Sequence, residues 1–385
     1  MEKIVLYGAG LVADELLKKQ LDVHIEAVTD SNENIWGKEW KGHRITPPGE
    51  VPYDEADKVI IATFDYYDEI KEQLIRKYHV EEKKIEGAGR FYARHSEEAE
   101  PEKAVGAAMI IRDGARYIDE WIAYHLLIGV SHFYIYDNES TDNLKETLEK
   151  WINKGVVTYI YFPGECIQMA AYNHAIAHFR NEVKYLAVID SDEYIGIADK
   201  RKALAEVLEE IEANYEIAID DHPGGGFGGV AVNWRVYGTS NHKKRQEGLV
   251  IENYTWRAED FSKENILVKT ICNPRRVERF SSPHIPIYKE GYCGISENGS
   301  WIAGTEFHDG MCRKLRINHY HSKSEEELRE KFKRGWPDQK HLGIEELECE
   351  LEKRLWRVRR NQNAVEDRML ADYADEVRRM LEEVR

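Results

Sequence analysis

The chain has 385 residues, more than one core usually needs and enough for two domains. Its 54 Lys and Arg against 71 Asp and Glu leave a formal charge of −17, which excludes a general positive field for a nucleic-acid backbone. Five cysteines (Cys166, Cys272, Cys293, Cys312 and Cys349) form no C-x-x-C pair, which argues against a disulfide framework or a zinc cage and for a reducing compartment.

The chain opens into a strand, with no signal-peptide pattern and no apolar run of about 18 residues, so a cytoplasmic protein without a transmembrane segment is expected. A strand at Lys3 to Tyr7, a helix from Val12, strands at Val23 to Val28 and Lys58 to Ala62, and a helix at Tyr66 to Tyr78 describe a small Rossmann-like, doubly wound domain over residues 1–95. Gly8-x-Gly10-x-x-Ala13 falls between its first strand and helix, where backbone N–H groups can hold a phosphate, and Asp30 ends the second strand, where an acid can accept from a ribose. Gly8, Gly10 and Asp30 are therefore candidates for binding a nucleotide; the same glycines also suit a plain strand-to-helix turn. This domain resembles the N-terminal modules of sugar O-acyltransferases, with Asp30-Ser31-Asn32 and Trp36-Gly37 as further points of likeness.

The segment His95 to Lys103, HSEEAEPEK, reads as a linker. A second α/β domain, residues 104–335, starts with a strand at Val105 to Ile111, a helix at Tyr117 to Ile128 and a strand at His132 to Tyr136. Asp137, Asn138, Ser140 and Asp142 follow at the strand's C-terminal end, the edge where α/β sheets bind ligands; they would equally suit a loop that caps the helix from Asn143. After a helix at Gln168 to Ala177 comes YLAVIDSDEYI, an apolar strand ending in Asp190, Ser191, Asp192 and Glu193. Alternation would place Asp190 and Asp192 on one side, within reach of one hard divalent ion that could hold a diphosphate.

Further on, NWRVYGTSNH offers Trp234, Arg235, Tyr237, Ser240 and His242, aromatic faces and polar tips suited to a sugar acceptor. The nearby Gly224-Gly225-Gly226 and Gly228-Gly229 can bring backbone close to a ligand. Glu325 to Arg334 and Ile344 to the C-terminus look helical, so residues 336–385 are expected to form a helical extension, on its own chain or as the contact of an oligomer.

Six blocks in order, EWIAYHLLIGVSHFYIYDNESTDN, QMAAYNHAI, YLAVIDSDEYI, NWRVYGTSNH, VKTICNPRRV and LRINHYHSKSEEELREKFKRG, resemble glycosyltransferase family 92 over about residues 105 to 335. The resemblance implies a GT-A fold, a nucleotide-sugar donor (a UDP-sugar is favoured), a glycan acceptor, and Mn2+ or Mg2+ at the Asp-x-Asp. It implies metal and donor roles for Asp190 and Asp192. It also implies a third metal ligand at His319 ahead of His321 and a donor-base contact at Asp137. Lys323 and Arg334 suit phosphate contacts and surface roles equally. An inverting mechanism would need a carboxylate base, for which Asp260 ranks before Glu259, with Asp220, Asp221, Glu306 and Asp309 as competitors. The chain departs from the family after its first strand, where Arg112-Asp113 is followed by Gly114 instead of an acid, so that Asp113 would have to carry the donor contact.

Two rival readings remain at this point: an oxidoreductase or epimerase run by the first domain, and a sugar-nucleotide or glycan-binding protein whose chemistry has lapsed.

Overall fold

A computed structural model describes residues 2–10, 13, 23–63, 66–88, 91, 101, 103–218, 225–302, 304–306, 312–334 and 344–384. The helix expected from Val12, most of the expected linker, and Gly224, Asp220, Asp221 and Asp309 lie outside them. The chain divides into two compact units, one of residues 1–100, 212–228 and 288–293, the other of residues 101–211, 229–287 and 294–385. No described helix is long and apolar enough to cross a membrane.

In the first unit, β1 (Glu2–Tyr7), β2 (Val23–Thr29), β3 (Glu39–Trp40), β4 (His43–Thr46), β5 (Lys58–Ile61) and β6 (Ile85–Gly87) form a sheet in the order β3-β4-β2-β1-β5-β6, parallel except for β3. Its central strands are apolar on both faces, as a parallel sheet covered on both sides requires. Val5, Tyr7, Val59 and Ile61 pack with Ile70 and Leu74 of α1 (Tyr67–Arg76), while Ile4, Leu6, Val28 and Ile60 pack with Phe91. Gly8 closes β1 at φ +112°, and a Cβ there would lie 3.0 Å from the Ala62 carbonyl oxygen, so only glycine makes this turn without strain.

The second unit is built on a larger mixed sheet. Its parallel part is β7 (Lys103–Ile111), β8 (His132–Asp137), β9 (Val157–Tyr161) and β10 (Val183–Val188); the rest is β11 (Glu193–Ile197), β12 (Gly226–Val236), β14 (Val268–Cys272) and β18 (Leu315–His319). The order is β11-β18-β12-β14-β10-β7-β8-β9, with β14 running antiparallel between β10 and β12. This is an α/β domain on a mixed sheet, as the sequence leads one to expect. Among the shorter strands, β13 (Trp256–Arg257), β15 (Val277–Phe280), β16 (Pro286–Tyr288) and β17 (Tyr292–Ile295), β17 pairs with β12 as a ninth strand of the large sheet.

Helices α2 (Ala115–Leu127), α3 (Leu144–Asn153) and α4 (Gln168–Phe179) follow β7, β8 and β9. Helix α2 fixes β11 by polar bonds as well as by packing. The Trp121 indole donates to the Glu193 carbonyl at 2.8 Å, and the Tyr124 hydroxyl to that of Ile195 at 2.7 Å. Both side chains are fully buried, so these bonds are shielded from water and pin the strand that follows the acidic turn.

After α5 (Leu204–Ala218) and the single turn α6 (Val250–Asn253) come α7 (Glu325–Arg334) and α8 (Ile344–Arg357). The expected continuous helix to the C-terminus is interrupted. Past Gln362 the chain forms β19 (Val365–Glu366), paired antiparallel to β13, and resumes as α9 (Ala374–Glu383). The reason is Asp367, whose carboxylate receives Arg316 through both terminal nitrogens (2.8 and 2.9 Å) and Arg257 Nε at 2.7 Å. A helix could not deliver this carboxylate to two buried guanidiniums while pairing residues 365–366 with a strand. The extension thus packs on its own chain.

Candidate functional site

Strand β10 is apolar and almost entirely buried, and it stops at Val188. Asp190 to Asp192 therefore occupy the turn into β11, not an extended segment. Glu193 closes that turn: its N–H donates to the Asp190 carbonyl at 3.0 Å, while its own carboxylate accepts from the Asp190 N–H at 2.8 Å. The expected alternation is replaced by two different directions for the two aspartates.

Asp190 faces the sheet and α4. Its Oδ2 accepts from Lys269 Nζ at 2.9 Å, and its Oδ1 from the Tyr172 hydroxyl at 3.1 Å and Gln168 Nε2 at 3.3 Å. Lys269, on β14, is 1% exposed and also lies 3.5 Å from Glu193. Burial opposes both charges of the Lys269–Asp190 pair, but their mutual attraction outweighs it, holding the Asp190 carboxyl below its ordinary range and the Lys269 ammonium above its own. Burial dominates at Glu193 and pushes its carboxyl up to about 8.

Asp192 faces the end of β18 and the helix beyond. Its Oδ1 lies 3.4 Å from His319 Nε2, and its Oδ2 accepts from Lys331 Nζ of α7 at 2.7 Å. Burial again opposes ionisation, yet Lys331 and His319 hold the carboxyl well below its usual range. Burial lowers the basicity of His319, favouring the neutral imidazole that a metal ion requires. His319 Nδ1 has no hydrogen-bond partner among the described residues. Register explains the meeting: Glu193 pairs with His319 across β11 and β18, and the Tyr320 N–H donates to the Asp192 carbonyl at 2.8 Å.

Among the described residues no three His, Cys, Asp or Glu side chains converge as a metal cage. Asp192 and His319 nevertheless fit a hard divalent ion whose other ligands come from a phosphate, a common arrangement for such ions at nucleotide sites. Asp190, already matched to Lys269, does not share that position.

The other expected residues divide by face. Trp234 lies beside His319, with ring centroids 4.2 Å apart, and its indole N–H has no partner among the described residues. Arg235 and Tyr237 point the other way, since neighbours on a strand alternate. The Tyr237 hydroxyl accepts from Asn318 and Arg316, and Arg235 pairs with Asp260. Asp260 also pairs with Arg257 at 2.8 Å, so it belongs to the face opposite His319, while Glu259 and Glu306 are exposed. His321 is half-buried, 3.3 Å from Arg354 Nη2, and the Lys323 ammonium lies over the Tyr117 ring at 4.8 Å. The Ser240 hydroxyl accepts from the Trp256 N–H at 3.0 Å, and His242 Nε2 meets the Asn253 carbonyl at 3.1 Å.

The loop beyond β8 is braced by its own acids. Asp137 accepts from the Ser140 N–H at 2.9 Å and the Tyr159 hydroxyl at 2.6 Å, and Asp113, at φ +55°, accepts from the Thr141 N–H at 2.6 Å. Asp142 accepts from the N–H groups of Ala115 (2.9 Å) and Leu144 (3.1 Å), capping α2 and α3 together. Asn138 donates to the carbonyls of Phe162 and Gly164. A Cβ at Gly114 would fall 2.2 Å from Ile111 Cδ1, so that side chain would have to shift to admit one. In the first unit Asp30 is likewise committed, accepting from Ala9 N–H at 2.9 Å and Asn32 N–H at 2.8 Å, so it supports the Gly8 turn; Gly10 has open space around its Cα.

Comparison with known proteins places this geometry. The model of glycosyltransferase family 92 matches residues 112–359, and a second family model, C2185-like, N-terminal, matches residues 1–86. A glycosyltransferase family 92 protein of Oryza sativa subsp. japonica is 25% identical over 245 residues, covering 61% of this chain and 37% of that protein. One from Ricinus communis is 31% identical over 96 residues, covering 25% of this chain and 17% of its own. The chain thus spans little more than a third of the first of these relatives and less of the second. A crystal structure of S. aureus TarS 1-349 in complex with UDP aligns with TM-score 0.28 and 14% identity, over 51% of this chain and 62% of that one.

Proposed function

Because the chain belongs to glycosyltransferase family 92, we propose that it transfers a hexose from a nucleotide-diphosphate sugar, a UDP-sugar being favoured, to a glycan hydroxyl, with Mn2+ or Mg2+ held at Asp192 and His319. The observation that carries this reading is the 3.4 Å approach of Asp192 Oδ1 to His319 Nε2 at the C-terminal end of the sheet, where α/β folds bind their ligands. A divalent ion bound there would offset negative charge on the departing nucleoside diphosphate.

The chain's own residues divide the remaining work. Lys269 fixes Asp190, and the Glu193 carboxylate holds the turn that aims Asp192. Asp137 has one bond to each carboxylate oxygen and so keeps a lone pair on each for an N–H of the nucleotide base. Trp234, on the His319 side, offers an indole face to the C–H surface of a sugar and an N–H to a hydroxyl. No carboxylate is assigned as base, since Asp260 is ion-paired on the other face.

The test is a thermal-shift panel of UDP-, GDP- and CDP-sugars with and without manganese, followed by assay of nucleoside diphosphate release. One donor class should raise the melting temperature only with metal and be turned over slowly, and Asp192→Ala should abolish both effects. A metal-independent shift that survives Asp192→Ala would refute the reading.

A further inference from the structure

Two lysines neutralise the acidic turn, and they are not equivalent. Lys269 is 1% exposed and held between two carboxylates, so it cannot leave without stranding buried charge. Lys331 keeps 30% of its side chain exposed, sits on α7 and binds the Asp192 oxygen that His319 does not approach. An ammonium 2.7 Å from Asp192 Oδ2 already neutralises the one carboxylate charge that a divalent ion at Oδ1 and His319 would draw on. The same ammonium is within one flexible stem of any diphosphate brought to Asp192.

We propose that Lys331 is an exchangeable counter-ion: it neutralises Asp192 in the donor-free protein and passes to the donor's diphosphate when a metal ion takes its place. The assignment rests on the donor reading above. It makes Lys331 a competitor of free metal and a partner of the nucleotide that binds once metal is in place, so one substitution must shift two affinities in opposite directions. A merely structural lysine would shift them together or not at all.

Isothermal titration of the full chain tests this with Mn2+ alone and with UDP, GDP and CDP in saturating Mn2+. Lys331→Met should bind Mn2+ alone about tenfold more tightly and the cognate nucleotide in saturating Mn2+ about tenfold more weakly, one charge-assisted contact being lost from each balance. Lys331→Arg should restore both values toward those of the unmodified chain. Opposed shifts restored by arginine support the assignment. Unchanged affinities, or two shifts of the same sign, overturn it while leaving the donor reading intact. If the unmodified chain binds none of the nucleotides with manganese, the donor reading and the Lys331 assignment fall together.

Discussion

Two acidic clusters sit at strand ends of the same sheet, and they use their carboxylates differently. Beyond β7 and β8, Asp113, Asp137 and Asp142 accept mainly from backbone N–H groups of their own loops. Beyond β10, Asp190 and Asp192 are met by side chains: Lys269, Tyr172 and Gln168 on one, His319 and Lys331 on the other. A backbone donor cannot leave without unfolding the loop, whereas a side-chain cation can be exchanged for a ligand. The first cluster therefore builds the site's rim, and the second contains its replaceable charge.

The largest effect that would probe this division is expected at Lys269. Lys269→Met removes the buried partner of Asp190 and should cost about 4 kcal/mol of stability, read from denaturant unfolding. A near-neutral result would mean that Asp190 is neutralised in some other way.

Asp367 provides a contrasting ion pair with only a structural role. Arg316 and Arg257 overcome the effect of burial and hold its carboxyl far below the ordinary range. A group with a folded pKa below its unfolded one contributes stability above the unfolded value, about 3.9, and loses it as pH falls toward the folded value. Asp367→Asn should therefore cost roughly 3 kcal/mol at neutral pH and flatten the loss of stability below about pH 4, while nucleotide affinity stays unchanged. A variant with the parent's acid limb would remove Asp367 from the account of acid stability.

The smallest effect is expected in the rim. Asp142→Ala loses the cap of two helices and should lower stability by about 1–2 kcal/mol without altering the affinity for manganese. A large change in metal affinity would erase the distinction between the two clusters.

Asp192 was singled out by the acids at the end of an apolar strand and His319 by the family resemblance, while their meeting depends on the pairing of β11 with β18. Lys269 was not, although its block was recognised, because its side chain reaches Asp190 only through the insertion of β14 next to β10. Lys331 reads as one more charge on a solvated helix until α7 is placed beside Asp192. Asp137 shows the reverse case: its position at the strand end was plain, but the Tyr159 hydroxyl that engages it depends on the pairing of β8 with β9. Asp260 ranked first as a base by order along the chain, which carries no information about the face of β12 to which Arg235 draws it. The break in the C-terminal helix was hidden for the same reason, since Asp367 answers to arginines over 50 and 100 residues away.

The most direct test is a crystal structure of the chain with UDP and manganese, using the anomalous signal of the metal. The account predicts a single ion touching Asp192 and His319, with Asp190 still on Lys269 and the diphosphate completing the ion's shell. An ion bound elsewhere, or nucleotide density away from this turn, would contradict it.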